Sequence, residues 1–377
     1  MTKKFIYIVL FLLSAAHQAI AAQNYVKGGF EMAGFFNAGF GWQRFGGGPT
    51  TEMDYDGSFA GVLGSVTQEV STGALPVEGE DIVETFVEVF ELDIIKQLTE
   101  RTSLRADILF GRSQSGSWVI VPGINLEQAY ATVRLSNSPV IDFTFGRIGT
   151  QAGFESFEPY FNDTISWSVL TRAVLYPYVI TGAQLGIEFS DNVALVVAAT
   201  SNLTNDTTPE FDEIPSCVAT LKISWGNDAS ENYLALSPYF GPETGNRRPL
   251  TYGADATLVV WPSAKLQLGL EGLYRRDNGA GGPDTDYAGG LFNLHWDITE
   301  SFFGGLRFSF ARQFDDGNGI FNLTGAKQNI YESSLFAGYH IADGIKLKFE
   351  ARLDSVDPSI GETQWVPGIA MAIAAAF

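Results

Sequence analysis

Apolar and polar side chains alternate along this chain in segments of about ten residues, the length that a tilted strand needs to cross a membrane. In the clearest segment, residues 345–354, five apolar side chains share one face and five charged side chains share the other. A period of two residues is the signature of a β-strand with two different environments on its faces. The same alternation recurs at 104–110, 128–135, 183–189, 266–271 and 302–310.

The connections between these segments alternate between short and long. The short ones, rich in Asn, Asp, Gly, Pro and Ser, fall at 96–101, 136–139, 190–192, 226–231, 262–264, 299–301 and 342–344. The long ones fall at 45–83, 114–125, 150–179, 203–216, 242–249, 277–285, 315–328 and 357–363. Short turns at one rim and long loops at the other are typical of outer-membrane barrels.

This spacing predicts an all-β fold, a transmembrane antiparallel β-barrel of about sixteen strands that runs from near Val26 to Phe377. The segment 57–70 is also strand-like, and we interpret it as part of the first long loop, which leaves eighteen strands as the alternative count. A barrel of that size encloses an aqueous channel. An even strand count places both termini at the short-turn, periplasmic rim.

The first residues predict export from the cytoplasm. Lys3 and Lys4 precede an apolar run at 5–13, and Ala19-Ile20-Ala21 supplies small residues for a signal peptidase. We therefore expect residues 1–21 to be a signal peptide and residues 22–377 to be a single transmembrane barrel in the outer membrane of a Gram-negative bacterium. The apolar run is too short for a membrane helix, and no later segment is long enough.

Charge and composition narrow the function. The chain has 43 acidic and 23 basic residues, a balance that argues against a nucleic-acid partner. Its single cysteine, Cys217, cannot form an internal disulfide, and no residue cluster indicates a cofactor, a metal or a catalytic site. Some barrels are lipid hydrolases, and those families place their nucleophile on the lipid-facing side. Here the candidate residues fall on the predicted lumen face, so we expect no enzyme activity; they are His295, Asp297, Ser334 and His340.

Aromatic residues indicate contacts with lipid and with the insertion machinery. Trp225, Trp261, Trp296 and Phe302 lie where strands meet short turns, and such rings suit the membrane interface. The last strand ends on Phe377, which resembles the signal by which barrels are handed to their insertion machinery. We expect outer-membrane lipid and lipopolysaccharide as further partners. A homotrimer is the porin-like expectation, with a monomer as the alternative.

The segment 126–182 resembles the OmpL-like β-barrel porin-2 family. The resemblance is carried by Leu126-Glu-Gln-Ala-Tyr130, Phe145-Gly-Arg-Ile-Gly-Thr150, Gly153-Phe-Glu155 and Thr181-Gly182. It implies an outer-membrane porin and says little about what passes through it. General porins are also similar in placing an inward-folded third loop between strands five and six.

The candidate constriction is this third long loop, residues 150–179, whose length itself indicates a function. It carries Glu155, Glu158 and Asp163 against a single Arg172. We expect it to fold into the lumen and to face basic residues on the opposite wall, which gives a transverse field. The predicted basic residues are Arg105, Arg134, Lys346, Lys348 and Arg352.

The sequence therefore predicts a passive pore for small hydrophilic solutes or ions. The alternative is a structural or adhesive barrel whose lumen is plugged by the loops at 45–83 and 150–179. One residue does not fit the alternation, since Arg147 falls in phase with the lipid-facing Phe143 and Phe145. Either a bulge shifts the phase there, or Arg147 lies at headgroup depth.

Overall fold

A computed structural model of the chain describes residues 30–44, 81–110, 119–121, 124–156, 160–172, 177–201, 203, 215–227, 230–242, 250–278, 284–314, 328–358 and 363–377. The predicted signal peptide, Val26 and the segment 57–70 lie outside these residues. Among the described residues, no helix combines the length and the apolar character needed to cross a membrane.

The described residues form one antiparallel sheet of seventeen strands and a single short helix. The strands are β1 (Phe30–Arg44), β2 (Asp81–Thr99), β3 (Thr102–Phe110), β4 (Val119–Val121), β5 (Ile124–Asn137), β6 (Val140–Gly149), β7 (Val179–Ser190), β8 (Val193–Thr200), β9 (Ser216–Asn227), β10 (Ser230–Pro242), β11 (Leu250–Ser263), β12 (Leu266–Asn278), β13 (Thr285–Asp297), β14 (Phe302–Gln313), β15 (Gln328–Ala342), β16 (Ile345–Pro358) and β17 (Gln364–Ala376). The helix α1 is Val169–Arg172.

Sixteen of these strands close a barrel, which confirms the predicted fold. Each pairs with its neighbour along the chain, and β1 pairs with both β2 and β17. The seam is completed by the chain end, because Gly34 N donates to Phe377 O at 2.9 Å and Phe377 N donates to Gly34 O at 3.0 Å. The remaining strand, β4, lies inside the predicted loop 114–125 and pairs with the start of β5.

Burial follows the predicted alternation. On β14, Leu306 and Phe308 are 38% and 41% exposed, whereas Arg307 and Ser309 between them are 2% and 0% exposed. On β16, Phe349 is exposed and Lys348 is buried. The apolar face therefore forms the outer surface of the barrel, and the charged face points into the lumen.

The rims differ as predicted. The short turns between β2 and β3, β5 and β6, β7 and β8, and the corresponding later pairs lie at one end, and the long connections lie at the other. Trp225, Trp296 and Phe302 are exposed at the short-turn end of their strands. Trp261 differs from the prediction, since its ring faces His295 in the lumen with 6.4 Å between the ring centroids.

Arg147 stays in phase with Phe143 and Phe145 on the outer face. Its Nε donates to the carbonyl oxygens of Leu126 at 3.1 Å and Glu127 at 2.8 Å. Near these carbonyls, the pairing of β5 with β3 shifts by one residue. The bulge is thus in the neighbouring strand, and Arg147 bonds to the carbonyl groups beside it.

Candidate functional site: the lumen loop and its anchoring wall

The long connection between β6 and β7, residues 150–178, is called here the lumen loop. Its backbone N–H groups bond to inward-facing carboxylates on strands across the barrel from β6 and β7. Gly153 N donates to Asp255 on β11 at 3.2 Å, Phe154 N to Glu271 on β12 at 3.1 Å, and Ile165 N to Glu350 on β16 at 2.8 Å. The lumen loop therefore lies inside the barrel against β11–β16, which we call the covered wall.

A buried charge cluster fixes the centre of the lumen loop. Arg307 of β14 contacts Glu155 of the loop at 2.6 Å, Glu332 of β15 at 2.7 Å and Glu350 of β16 at 3.5 Å. All four side chains are at most 3% exposed. Arg352 adds a second guanidinium, 3.7 Å from Glu332. Opposite charges this deeply buried are stable only when they are paired and hydrogen-bonded.

Glu155 also organises the loop itself. Its carboxylate accepts hydrogen bonds from Ser168 N at 3.0 Å and from Ser168 Oγ at 2.7 Å. A second internal contact joins Ser156 and Asn162, whose Oδ1 accepts from Ser156 N at 2.7 Å. These contacts within the described part of the loop add to its contacts with the wall.

Basic side chains of β16 bond to the backbone carbonyls of the loop. Lys346 Nζ donates to Tyr160 O at 3.2 Å, Lys348 Nζ to Thr164 O at 3.4 Å and Arg352 Nη1 to Trp167 O. A loop without regular structure leaves many carbonyl groups without partners, and burying them unpaired is costly. These three cations therefore give hydrogen-bond partners to three backbone carbonyl groups of the loop.

A histidine joins the lumen loop to β13. His295 Nδ1 lies 2.9 Å from Asp163 of the loop, and its Nε2 lies 3.1 Å from Asp297. Both contacts are hydrogen bonds only when both ring nitrogens carry a proton. Asn293 Nδ2 donates to the other oxygen of Asp163 at 3.3 Å. Although burial favours the neutral acid, the bonds from His295 and Asn293 and the charge of Lys348 lower the pKa of Asp163.

Two wall glycines allow the loop to approach closely. A Cβ at Gly269 would lie 2.3 Å from the ring of Phe154, and a Cβ at Gly289 would lie 2.3 Å from Leu170 Cδ1. Leu170 belongs to α1 and is fully buried. Any larger residue at either position would displace the loop.

A cavity of about 420 Å³, called here the loop cavity, lies beside the lumen loop. It is lined by Phe154, Glu155, Ser156, Phe161, Asn162, Asp163, Thr164, Glu231, Tyr233, Val259, Trp261, Gln267, Asn293, His295 and Arg307. The lining thus combines loop residues with side chains of β10–β14, and several of them are aromatic.

The other inner face, formed by β2, β3, β5 and β6, is called the open wall. Arg105 contacts Asp93 at 3.2 Å and Asp107 at 2.7 Å, and Arg134 contacts Asp142 at 2.6 Å. Glu91, Asp93 and Asp107 offer oxygen atoms within 4.8 Å of one another, a spacing that a divalent cation could use. Arg105 already bonds to two of the three carboxylates, Asp93 and Asp107. Its positive charge compensates theirs among the described residues.

The structure places the predicted constriction residues in two different environments. Glu155 and Asp163 lie in the lumen loop and bond to Arg307 and His295 of the covered wall. Glu158 lies outside the described residues, and Arg172 ends α1 with its side chain outside the described part.

The predicted position of three basic residues needs correction. Lys346, Lys348 and Arg352 do not face the loop across an open lumen, because they bond to it directly. Arg105 and Arg134 lie on the open wall and pair with acids of their own or neighbouring strands. The transverse arrangement of a loop opposed by five basic residues is therefore reduced to these two.

Sequence reasoning missed the residues that anchor the loop most firmly. Arg307, Glu332 and Glu350 were recognisable as lumen-facing from the alternation, but Glu155, the loop residue that Arg307 contacts, is 152 residues away in the chain. The sequence does hold a signal for this contact. Charges at the centre of three consecutive predicted strands indicate a buried cluster that needs partners from outside each strand.

Comparisons with known proteins agree with this architecture. The model of the family described as "Putative beta-barrel porin-2, OmpL-like" matches residues 99–369. None of the curated proteins matches the chain. Among solved structures, the outer membrane channel DcaP of Acinetobacter baumannii is similar with a TM-score of 0.61 and 11% identity, covering 93% of this chain and 99% of that one.

Two further solved structures are similar in fold. The anion-selective porin from Comamonas acidovorans has a TM-score of 0.56 at 9% identity and covers 92% of this chain and 99% of its own. A trimer form of the Vibrio cholerae outer membrane protein OmpT has a TM-score of 0.56 at 10% identity, with 92% and 99% covered. At these identities the likeness concerns the fold alone. Because the family model covers well over half of the chain, the protein belongs to the OmpL-like β-barrel porin-2 family and is an outer-membrane channel for passive diffusion of solutes.

Proposed function

We propose that the lumen loop sets the narrowest part of this pore, so that small hydrophilic solutes and ions pass beside it. The observation that carries the proposal is the buried contact between Glu155 of the loop and Arg307 of the opposite wall, at 2.6 Å. A loop held across the lumen by buried ion pairs has a fixed position, and a fixed obstruction selects solutes by size and by the charges beside it. No catalytic step is involved.

The membrane context of the proposal follows from the sequence. Residues 1–21 are removed as a signal peptide, both termini lie in the periplasm, and the strand ending in Phe377 is recognised by the insertion machinery. Lipopolysaccharide contacts the long-loop rim. A homotrimer is the proposed assembly, and the trimer form of the similar V. cholerae protein supports it.

Single-channel conductance in a planar bilayer tests the constriction. Phe161 of the lumen loop is 57% exposed inside the barrel, and Phe145 is 63% exposed on the outer face. We expect Phe161→Ala to raise the conductance of each channel because it removes a ring from the lumen. Phe145→Ala, a matched truncation on the lipid side, leaves the conductance unchanged.

The test also decides between a pore and a plugged barrel. A correctly folded barrel, identified by its heat-modifiable migration in gels, that never conducts would favour the structural or adhesive alternative. A conducting channel with equal conductance in both variants would place the constriction elsewhere than at Phe161.

A further inference from the structure

We infer that the loop cavity binds small amine-bearing cations, so that the pore favours cationic solutes over neutral and anionic ones of the same size. This inference rests on the proposed function, since it names the class of solute that passes beside the lumen loop. It is carried by the exposure of the charges that line the cavity, by its aromatic side chains and by an ammonium group that the chain itself already places there.

The basic groups of the loop cavity are not available to a solute. The side chain of Arg307 is 1% exposed, and its guanidinium is held by Glu155 and Glu332. The ring of His295 is 13% exposed and lies between Asp163 and Asp297. Among the described residues that line the cavity, no basic group is therefore exposed enough to bind a permeating anion.

Two acidic groups in or beside the cavity are more exposed, whereas the other acids of its lining, Glu155 and Asp163, are 3% and 21% exposed. The side chain of Glu231 is 47% exposed, and that of Asp297, beside His295, is 38% exposed. We infer from these exposures a negative potential beside Glu231 and Asp297, which Lys222, 34% exposed and paired with Glu231, reduces in the unaltered protein. A lumen with low-dielectric walls strengthens such a potential and raises the local concentration of cations.

The aromatic lining favours organic cations in particular. Tyr233, Trp261 and Phe161 line the same cavity as Glu231. An ammonium group over the face of such a ring is attracted by the ring quadrupole. An aromatic ring beside a carboxylate therefore recognises an amine by two contacts at once.

The chain shows this recognition with its own lysine. Lys222 Nζ, from the neighbouring strand β9, lies 4.8 Å from the centroid of the Tyr233 ring and 3.1 Å from Glu231. A primary amine thus already occupies this ring and this carboxylate at the edge of the cavity. Lys222 is a tethered competitor of any amine-bearing solute, and its removal frees both partners.

The size of the cavity agrees with a small solute. A volume of about 420 Å³ lies in the range of about 300–1,000 Å³ that is typical of small-molecule sites. Three four-carbon compounds provide matched probes: putrescine carries two amines, 1,4-butanediol carries two hydroxyls, and succinate carries two carboxylates.

The experiment uses two variants with opposite expected effects. Glu231→Gln removes the exposed carboxylate, and we expect about threefold to tenfold weaker putrescine binding, as for the loss of one charge contact near a protein surface. Lys222→Met removes the competitor, and we expect putrescine to bind more tightly than to the unaltered protein. Glu300→Gln and Lys265→Met are charge-matched controls in exposed short turns at the same rim and should change nothing.

Two measurements on the intact barrel separate this inference from the proposed function. Isothermal titration calorimetry in detergent measures probe binding without any need for conduction, and the reversal potential in a KCl gradient measures ion preference. Putrescine binding that is absent for butanediol and succinate, with the opposite shifts in the two variants, supports the inference. Equal binding of all three probes, or a decrease in both variants, overturns it.

The conductance result then bears on the function alone. A channel that conducts without preferring potassium over chloride overturns the cation inference and leaves the porin function intact. A barrel that binds putrescine but never conducts supports the binding site and overturns the diffusion pore.

Discussion

The covered wall and the open wall of the lumen are built from the same alternating sequence but hold their charges differently. On the covered wall, the side chains of Arg307 and Arg352 are 1% and 0% exposed. On the open wall, those of Arg105 and Arg134 are 27% and 41% exposed. All four arginines face inward and all four pair with acids. Among the described residues, the lumen loop covers the first two arginines and leaves the other two exposed.

This difference shows that an inward-facing charge in a barrel strand is not by itself a permeation residue. Under the lumen loop, arginines and carboxylates act as anchors that satisfy loop backbone and loop acids. On the open wall, the arginines keep contact with solvent, although the carboxylates that Arg105 contacts, Asp93 and Asp107, are 6% and 0% exposed. The cost of removing one charge of a pair also differs between the walls. Solvent screens an exposed ion pair, whereas removal of one partner of a buried pair leaves the other charge buried without compensation.

The largest expected effect is the loss of Arg307. In Arg307→Met, the carboxylates of Glu155, Glu332 and Glu350 stay buried, and Glu332 keeps the guanidinium of Arg352 at 3.7 Å. Removing one partner of a buried charge pair costs about 3–5 kcal/mol. We expect a decrease of that size in the free energy of unfolding, measured by urea titration of the folded barrel, together with noisy conductance as the loop detaches.

Arg134→Met on the open wall is the matched control for this variant. It also removes a guanidinium from a carboxylate at 2.6 Å, but from a pair with 41% and 26% of the side chains exposed. Exposed pairs contribute about 0–1 kcal/mol. Similar losses in the two variants would contradict the distinction between the walls.

Much of the fold could be predicted from the sequence because it depends on local periodicity. The alternation at 345–354 predicts the strand β16 and its lumen-facing charges, and the short turns mark the strand ends within a few residues. Trp261 also follows the alternation, because it is in phase with Asp255 and Thr257 on the inner face of β11. Its assignment to the membrane interface was wrong, because that assignment rested on its position next to a short turn and not on its place in the alternation.

The candidate site could be predicted only in part, because a period of two residues reports a face and not a partner. It places Lys348 and Arg352 in the lumen but does not show that a loop covers them. That contact joins Arg352 to Ser166, which is 186 residues away in the chain. The local sequence of either segment does not report this long-range contact, so the loop was expected to face the two basic residues across an open lumen and not to bond to them.

An intermediate effect is expected at Asp163, which joins the lumen loop to His295. Asp163 has a lowered pKa in the folded barrel, so its contribution to stability is present at neutral pH, above its ordinary value of about 3.9. This contribution is lost only as the pH falls through the lowered value. Asp163→Asn should therefore cost about 1–3 kcal/mol at pH 7, because it weakens the charge-assisted hydrogen bond to His295.

The measurement is the unfolding free energy of both proteins between about pH 5, which is below the ordinary His value of about 6.5, and strongly acidic pH. We expect the difference between them to shrink as the pH falls below the ordinary Asp value of about 3.9. A difference that grows on acidification would mean that Asp163 is protonated in the folded barrel and does not bind His295 as an anion.

The smallest expected effect concerns the open wall and is measured by a double-mutant cycle on Arg134 and Asp142. Their contact is bidentate, with Nε to Oδ1 at 2.6 Å and Nη2 to Oδ2 at 2.9 Å, yet both side chains remain open to solvent. Such pairs typically couple by about 0.2–1 kcal/mol. We expect a coupling in this range that weakens as salt rises from about 0.1 to 1 M, because the screening length falls from about 10 to 3 Å. A coupling that is larger and insensitive to salt would mean that this pair is shielded from solvent, and the open wall would then resemble the covered one.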